Sequence, residues 1–446
     1  MLSTLRGPAW PIVVFFAGFP LWWLLGFSTI GFLLMAIPLG FQLLKRRNIA
    51  VPRGFGVWLL FLCILVIGVL VLWVPVPGLV SEPGLGRLLS WSYRLLWFLA
   101  GTVVLLYLGN TTEKQLPTRV VVQLMAWLFA ITVVGGYAGR FFYQYDFPSL
   151  LEVVLPNSIA SNVFLNNQIH PGLAQVQNII GFETPRPMAP FQYANSWGAN
   201  YGMLLPFFAL AVRYARTRPG RIGLLLFLVA ALPPVVFSLN RGLWLGLVVL
   251  MATAAVILAV RGNWTAVISL AAFGVVSYVL LMLTPLLELL ETRLANPHSD
   301  EGRSRLVELT IRTTIEHSPI IGFGSPRARQ ANFFSLAAGA TADCRQCSPP
   351  QLGTQGTLWL LVFTTGFLGA ALFIYFVSRR LVPALTLRDP VATAMLFPAV
   401  FFACVLPVYD LVSSPLIILM VTLGLLWRCE RQDGFRAHRS TERIST

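Results

Sequence analysis

Apolar runs close to twenty residues long recur along almost the whole chain, parted by short polar turns. As a helix, a run of about 20 residues spans the hydrocarbon core of a bilayer. Within that core only helices and closed barrels satisfy every backbone N–H and C=O. Of the 446 residues, 57% are hydrophobic and only 11% are charged, more apolar surface than a water-soluble globule can hide. The expected fold is therefore an all-α polytopic membrane protein, with residues 1–446 forming a single membrane domain. No small-residue cleavage site follows the first apolar stretch, which is read as a retained helix and not as a signal peptide.

About twelve transmembrane helices are expected. The first two form a close pair in "PIVVFFAGFPLWWLLG" and "FSTIGFLLMAIPLGFQLL". The next four cover about 57–74, 91–108, 120–136 and 199–212, and a seventh and eighth flank Arg241. The ninth ends near Pro285, the tenth at Arg379 and Arg380, and the last two form a hairpin around Asp410. With both termini inside, the inner loops gather Lys45, Arg46, Arg47, Arg53, Lys114, Arg119, the arginines of 213–221, Arg261, Arg379, Arg380 and Arg388. Short outer loops hold little beyond Arg87 and Arg241. That asymmetry is the positive-inside pattern of a bacterial cytoplasmic (inner) membrane protein. It places the net charge of +15 at loops and anionic headgroups of the lipid bilayer, so nucleic acid is not an expected partner. Two long polar segments, 138–198 and 286–355, then lie outside, and 428–446 is a basic cytoplasmic tail.

The outer arginines are the groups best suited to binding. Arg186 precedes the sixth span, and Arg241 sits at the tip of a tight hairpin. Arg303, Arg305 and Arg312 share a helix expected over 303–317, where Val307, Ile311 and Ile315 recur at four-residue spacing. In that helix Glu308 and Arg312 are spaced to pair, and Ser318–Pro319 ends it. Guanidiniums brought together suit a phosphate or diphosphate, whose oxygens accept their planar donors bidentately. The competing role for each is snorkelling or pairing with a loop carboxylate. Arg241 favours binding, because no acidic residue lies beside it in the sequence and it breaks the inside bias. Arg293 is read as peripheral.

Other groups carry less. His170 and His298 lie in turn-like sequences, and His317 suits a helix C-terminal cap. No outer D-x-D pair invites a divalent cation and no nucleophile motif is present, so neither metal nor cofactor is expected. Cys63 and Cys404 read as packing residues, and Cys344 with Cys347 as a local disulfide more readily than a zinc site. Among the spans only Arg94 brings a charge close to an apolar run, which weighs against an ion-coupled transporter.

Four stretches together resemble the O-antigen ligase and O-antigen polymerase superfamily. "RPMAPFQYANSWGANYG" resembles that family's Arg-x-x-Gly-x-Phe…Asn segment, with Arg186 and Asn195 in place and Ala189 where glycine is common. "SLNRGLWLGL" resembles its Ser-x-x-Arg outer turn, and "GRSRLVELTIRTTIEHSPIIGFG" its loop helix ending in Pro-x-x-Gly-x-Gly. "GTQGTLWLLVFTTGFLG" resembles the segment that enters the following span. The resemblance implies a glycosyltransferase-C-like architecture and a metal-independent glycosyltransferase that works without cofactors on the outer face. Its donor would be a polyprenyl-diphosphate-linked glycan and its acceptor a hydroxyl of a glycan or glycolipid. Arg186 and Arg241, with Arg303 or Arg305, would bind the donor diphosphate, and Asn195 would position substrate. Many relatives carry histidine where this chain has Gln355, and an amide is no general base near neutral pH. Either Gln355 orients the acceptor, or His317, Glu183 or Asp343 supplies the base, or the chain is inactive. A polymerase of surface polysaccharide is favoured over a ligase acting on lipid A–core. A flippase for such lipids and a silent scaffold are the readings from other classes.

Overall fold

The computed structural model describes residues 7–80, 84–160, 162–284, 286–295, 300–328, 351–386 and 389–444. Five of its helices are long and apolar enough to cross a membrane: Gly86–Asn110, Thr118–Phe141, Arg218–Phe237, Arg241–Val260 and Thr357–Val382. Shorter apolar helices, Ile30–Leu44, Phe55–Val71, Trp264–Val279 and Pro390–Val405, accompany them. The chain is a mostly helical membrane protein, with helix making up 72% of its described residues. Large apolar side chains such as Leu226, Val248, Ile268 and Val276 are exposed on the outer helices, where a bilayer would cover them.

Several expected spans are built from pieces. The first is broken at Gly18 into Trp10–Ala17 and Phe19–Leu25. The seventh changes course after Ala230, where Pro233 and Pro234 open the next short helix, Leu232–Phe237, because proline cannot donate to the preceding turn. The first polar segment departs from an all-helical expectation. Short helices lead into an antiparallel hairpin that pairs Ala174–Asn178 with Glu183–Pro187. His170 is more than a turn residue: Glu152 (3.0 Å) and Asp146 (2.7 Å) flank its two ring nitrogens, pinning this segment together.

The final helix, Ser414–Ile444, carries the core. Leu416 to Met420 are at most 1% exposed, as expected for a helix that is apolar all round. The expected tail therefore begins inside the fold. Arg428 is buried, donates to the Leu108 carbonyl (2.9 Å) and the Leu116 carbonyl (2.8 Å), and pairs with Glu113 at 3.3 Å. Arg431 donates to the Gly109 carbonyl at 2.9 Å. The bonds to Leu108 and Gly109 satisfy carbonyls at the C-terminal end of the Gly84–Asn110 helix that no helical N–H can reach, and the bond to Leu116 holds the loop that follows. Arg87, expected in an exposed loop, is likewise buried and donates to the Leu72 and Val80 carbonyls, both at 2.9 Å. Cys63 points outward and is exposed, so its expected packing role does not hold. Cys344, Cys347, Asp343 and His298 lie outside the described residues.

One joint fixes the second polar segment to the bundle. The Thr357–Thr386 helix breaks at Gly366, whose φ of 68° and ψ of 179° are not helical. The backbone of Pro319–Gly324 fills that break. Phe323 N–H donates to the Phe363 carbonyl (2.8 Å), Gly324 N–H to the Thr364 carbonyl (3.0 Å), and Phe367 N–H to the Pro319 carbonyl (2.8 Å). Close approach explains the glycines of Pro-x-x-Gly-x-Gly. A Cβ on Gly324, at φ +73°, would lie 2.2 Å from the Gly68 carbonyl oxygen. The Asp300–His317 helix is thereby laid across the bundle, with Thr310 and Thr314 fully buried and Leu306 and Leu309 against Phe323 and Phe363. The stripe of Val307, Ile311 and Ile315 faces a cleft instead of the core. Arg312 pairs forward with Glu316 at 2.8 Å and not back with Glu308.

Gly324→Ala is expected to destabilise the fold by about 1–3 kcal/mol from the left-handed conformation alone, with the clash adding to it. Thermal unfolding in detergent should show a clear drop in midpoint, whereas alanine at Gly223, which a Cβ would leave in open space, should move it little.

Candidate functional site

The hairpin, the turn before Arg241 and the last helical hairpin meet at one cleft. Strand register sets Arg186 opposite Gln175, and its side chain is 8% exposed. Its Nε donates to the Ser238 carbonyl (2.9 Å), Nη1 to Gln177 Oε1 (2.8 Å) and Nη2 to Asn195 Oδ1 (3.2 Å). All three acceptors are neutral. They orient the guanidinium without cancelling its charge. Burial pulls the Arg186 pKa down to about 10, with Tyr409 opposing the shift and Arg293 and Arg303 adding to it. The group therefore stays protonated at neutral pH.

Arg241 is the first residue of the Arg241–Val260 helix, whose N-cap is Asn240, with Oδ1 accepting from Leu243 N–H at 3.1 Å. Leu239, just before it, is buried with φ 50°, the one non-glycine residue at positive φ among the described residues. Such backbone costs energy, and here it turns the chain so that the helix start faces the cleft. A helix N-terminus adds partial positive charge to that wall. The Tyr409 hydroxyl presses on the same start, where a Cβ on Gly242 would come within 2.5 Å of it. Burial pushes the Tyr409 pKa up to about 12, while Arg186, Arg303 and backbone hydrogen bonds from Leu243 and Gly242 pull the other way. At neutral pH it is a phenol.

The cleft these elements enclose has a volume of about 650 Å³. Arg186, Arg241, Arg293 and Arg303 line it with Gln177, Asn195 and Tyr409, and no carboxylate is among its described lining residues. A second cleft of about 780 Å³ adjoins it and shares Arg303, Pro407 and Val408. Its walls are the Val307, Ile311 and Ile315 stripe, Trp359, Glu308 and Gln355.

Of the sequence candidates, Arg186, Arg241, Arg303 and Asn195 converge on the first cleft. Arg305, two positions from Arg303 and therefore on another face of the helix, is exposed and lines neither cleft. Gln355 lines the second cleft. Its Nε2 donates to the Gln351 carbonyl (2.8 Å) and its Oε1 accepts from Thr310 Oγ1 (3.4 Å). Glu183 is exposed at the far end of the hairpin, paired with Asn178, and lines neither cleft. His317 lies fourteen residues along the helix from Arg303, about 21 Å at 1.5 Å per residue, and is exposed outside both clefts.

Arg293, expected to be peripheral, is buried in the first cleft, where its Nε donates to the Leu239 carbonyl at 3.3 Å. Tyr409 and Gln177, also on the lining, carry no mark in the sequence. Nothing in the sequence marks Arg293 except its place on the Leu286–Ala295 helix, where Leu290 lies on the same face. Four guanidiniums and a helix start give this cleft a positive lining of the kind that suits a phosphoryl group. They also hold fixed positive charge where such a group could depart from a bond. No family model matches the chain, and no curated protein matches it.

Inorganic diphosphate should bind the detergent-solubilised protein, as calorimetry would show. Arg186→Ala and Arg293→Ala should each weaken it about 10–100-fold, the range for hydrogen bonds to charged groups, and Arg305→Ala should leave it within about twofold. Because Arg186 is charged only below its pKa of about 10, affinity should decline as pH rises through that value, less so in Arg186→Ala.

Proposed function

We propose that this protein is a metal-independent glycosyltransferase of the outer face of the bacterial cytoplasmic membrane. It moves a glycan from a polyprenyl-diphosphate donor to an acceptor hydroxyl, extending a surface polysaccharide in the manner of a polymerase. The observation that carries this reading is the arginine cleft. Arg186, Arg241, Arg293 and Arg303 surround one space at the end of membrane-crossing helices, where an anionic headgroup with a lipid tail in the bilayer would reach. The same reading takes the bundle as about twelve spans of glycosyltransferase-C type, with the pieces of helix pairing into spans.

The chemistry follows from the charges. An acceptor oxygen attacks the anomeric carbon, and the bond from that carbon to the diphosphate oxygen breaks with its electron pair. The departing diphosphate is already a weak base, so it needs positive charge and not a proton. Arg186, oriented by neutral acceptors, supplies that charge in a fixed place. The second cleft is the acceptor's side, and Gln355 there can orient a hydroxyl through its amide.

Protein in liposomes, given undecaprenyl-diphosphate oligosaccharide and a matching acceptor, should form new glycosidic product. Arg186→Ala and Arg241→Ala should each lower the rate by about 10²–10³-fold, the usual cost of losing one donor to a developing anion. Lipid translocation without product would mark a flippase, and binding alone would mark a scaffold; either result overturns the proposal.

A further inference from the structure

Gln355 cannot take the proton that the acceptor hydroxyl must lose, and the structure sets His317 and Glu183 outside both clefts. The second cleft nevertheless holds two carboxylates, Glu308 and Glu316. Glu316 is engaged, since Arg312 Nε donates to its Oε1 at 2.8 Å. That bond occupies one carboxylate oxygen and pulls the Glu316 pKa down, chiefly through the Arg312 hydrogen bond, which makes Glu316 the weaker base. Glu308 makes no such hydrogen bond among the described residues, although the Arg312 charge acts on it too. It lies on the cleft-facing side of the Asp300–His317 helix, one turn beyond Ser304, with Arg303 next to that serine on the lining. The other charged groups lining the cleft are Arg303 and Arg312; the opposing wall of Gln355, Trp359, Pro407 and Val408 carries none.

From this placement we infer that Glu308 is the general base of the transfer, a role that rests on the glycosyltransferase reading above. Donor diphosphate in the arginine cleft and acceptor beside Gln355 would bring the reacting carbon to the shared boundary at Arg303, Pro407 and Val408. As the acceptor oxygen bonds to the anomeric carbon, its proton passes to the Glu308 carboxylate, which returns it to water. The diphosphate leaves with the electron pair of the broken bond, so atoms and charge balance with no other reactant. Arg303 stands between the two events, close to the leaving group and five residues along the helix from the base. The Thr310 hydroxyl, on the buried face of the same helix, accepts from Gly353 N–H (3.1 Å), while its one proton has the Leu306 carbonyl (2.7 Å) nearer than Gln355 Oε1 (3.4 Å). It locks this helix to the segment that carries Gln355, so base and acceptor-orienting amide keep a fixed spacing.

The test compares wild type, Glu308→Gln, Glu308→Asp and Glu288→Gln in liposomes, with undecaprenyl-diphosphate oligosaccharide and acceptor. Glu288 is exposed and lines neither cleft. Glu308→Gln should slow transfer by about 10²–10⁴-fold, the span of general base catalysis. It should bind inorganic diphosphate as wild type does and lose the acid-side limb of the rate–pH profile. Glu308→Asp should recover part of the rate, and Glu288→Gln should match wild type. Transfer by Glu308→Gln within about threefold of wild type would overturn the assignment while leaving the glycosyltransferase reading intact. A matching loss of diphosphate binding would show a structural role and also overturn it. If wild type itself forms no product, both fall.

Discussion

Every backbone N–H and C=O that leaves a helix inside the bundle must find another partner, because lipid offers none. The joint at Gly366 shows what that rule builds. The Thr357–Thr386 helix opens its own ladder, and the Pro319–Gly324 backbone fills the gap with three hydrogen bonds. Irregular backbone is tolerable there because it is enclosed by protein. The consequence reaches both clefts. With the end of the Asp300–His317 helix held at the kink, Arg303 is carried to the arginine cleft and Glu308 to its neighbour. A second contact steadies the other wall. Thr357 N–H donates to the Tyr409 carbonyl (2.8 Å) and Trp359 Nε1 to the Pro407 carbonyl (2.8 Å), which sets the turn that holds Tyr409.

The arginines divide into two kinds by what their donors reach. Arg428, Arg431, Arg87 and Arg327 spend their donors on backbone carbonyls at helix ends and turns. Arg380 pairs with Glu430. These are architectural bonds: they satisfy carbonyls that would otherwise be stranded. Arg186 and Arg293 also donate to carbonyls, of Ser238 and Leu239, but their guanidiniums line an open cavity. A buried charge held only by neutral acceptors is expensive, and Arg186 shows that cost in its depressed pKa. A bound anion would offset that cost. A tight turn at Leu239 with its strained φ contributes to the same end by aiming a helix start inward.

Much of the fold was legible because it follows from composition and period. Apolar runs of bilayer length mark helices whatever surrounds them, and Ser318–Pro319 stops the loop helix through local sterics. Arg186, Asn195 and Arg241 could be singled out because they stand beside spans and so must lie near a membrane surface. The choice between Arg303 and Arg305 could not be made, since it depends on which face of the helix the bundle covers. Arg293 and Tyr409 were invisible for the same reason: each looks ordinary in its own segment and matters only beside residues far away in the chain. Glu308 was spaced correctly for Arg312, yet Glu316 at the opposite spacing won the contact.

Composition and local pattern are enough to make this chain a helical membrane protein with its arginines spread through short turns and two long polar segments. Hydrophobicity and local backbone sterics act within a few residues, so a linear reading captures them. Tertiary packing alone sets which arginines share a cavity, which bond stranded carbonyls, and which carboxylates line a cleft. Those outcomes depend on the rotation of each helix and on where broken helices dock. Both follow from close backbone packing and hydrogen bonding between segments far apart in the chain, with Gly324 pressed against Gly68 and its loop bonded across the break at Gly366.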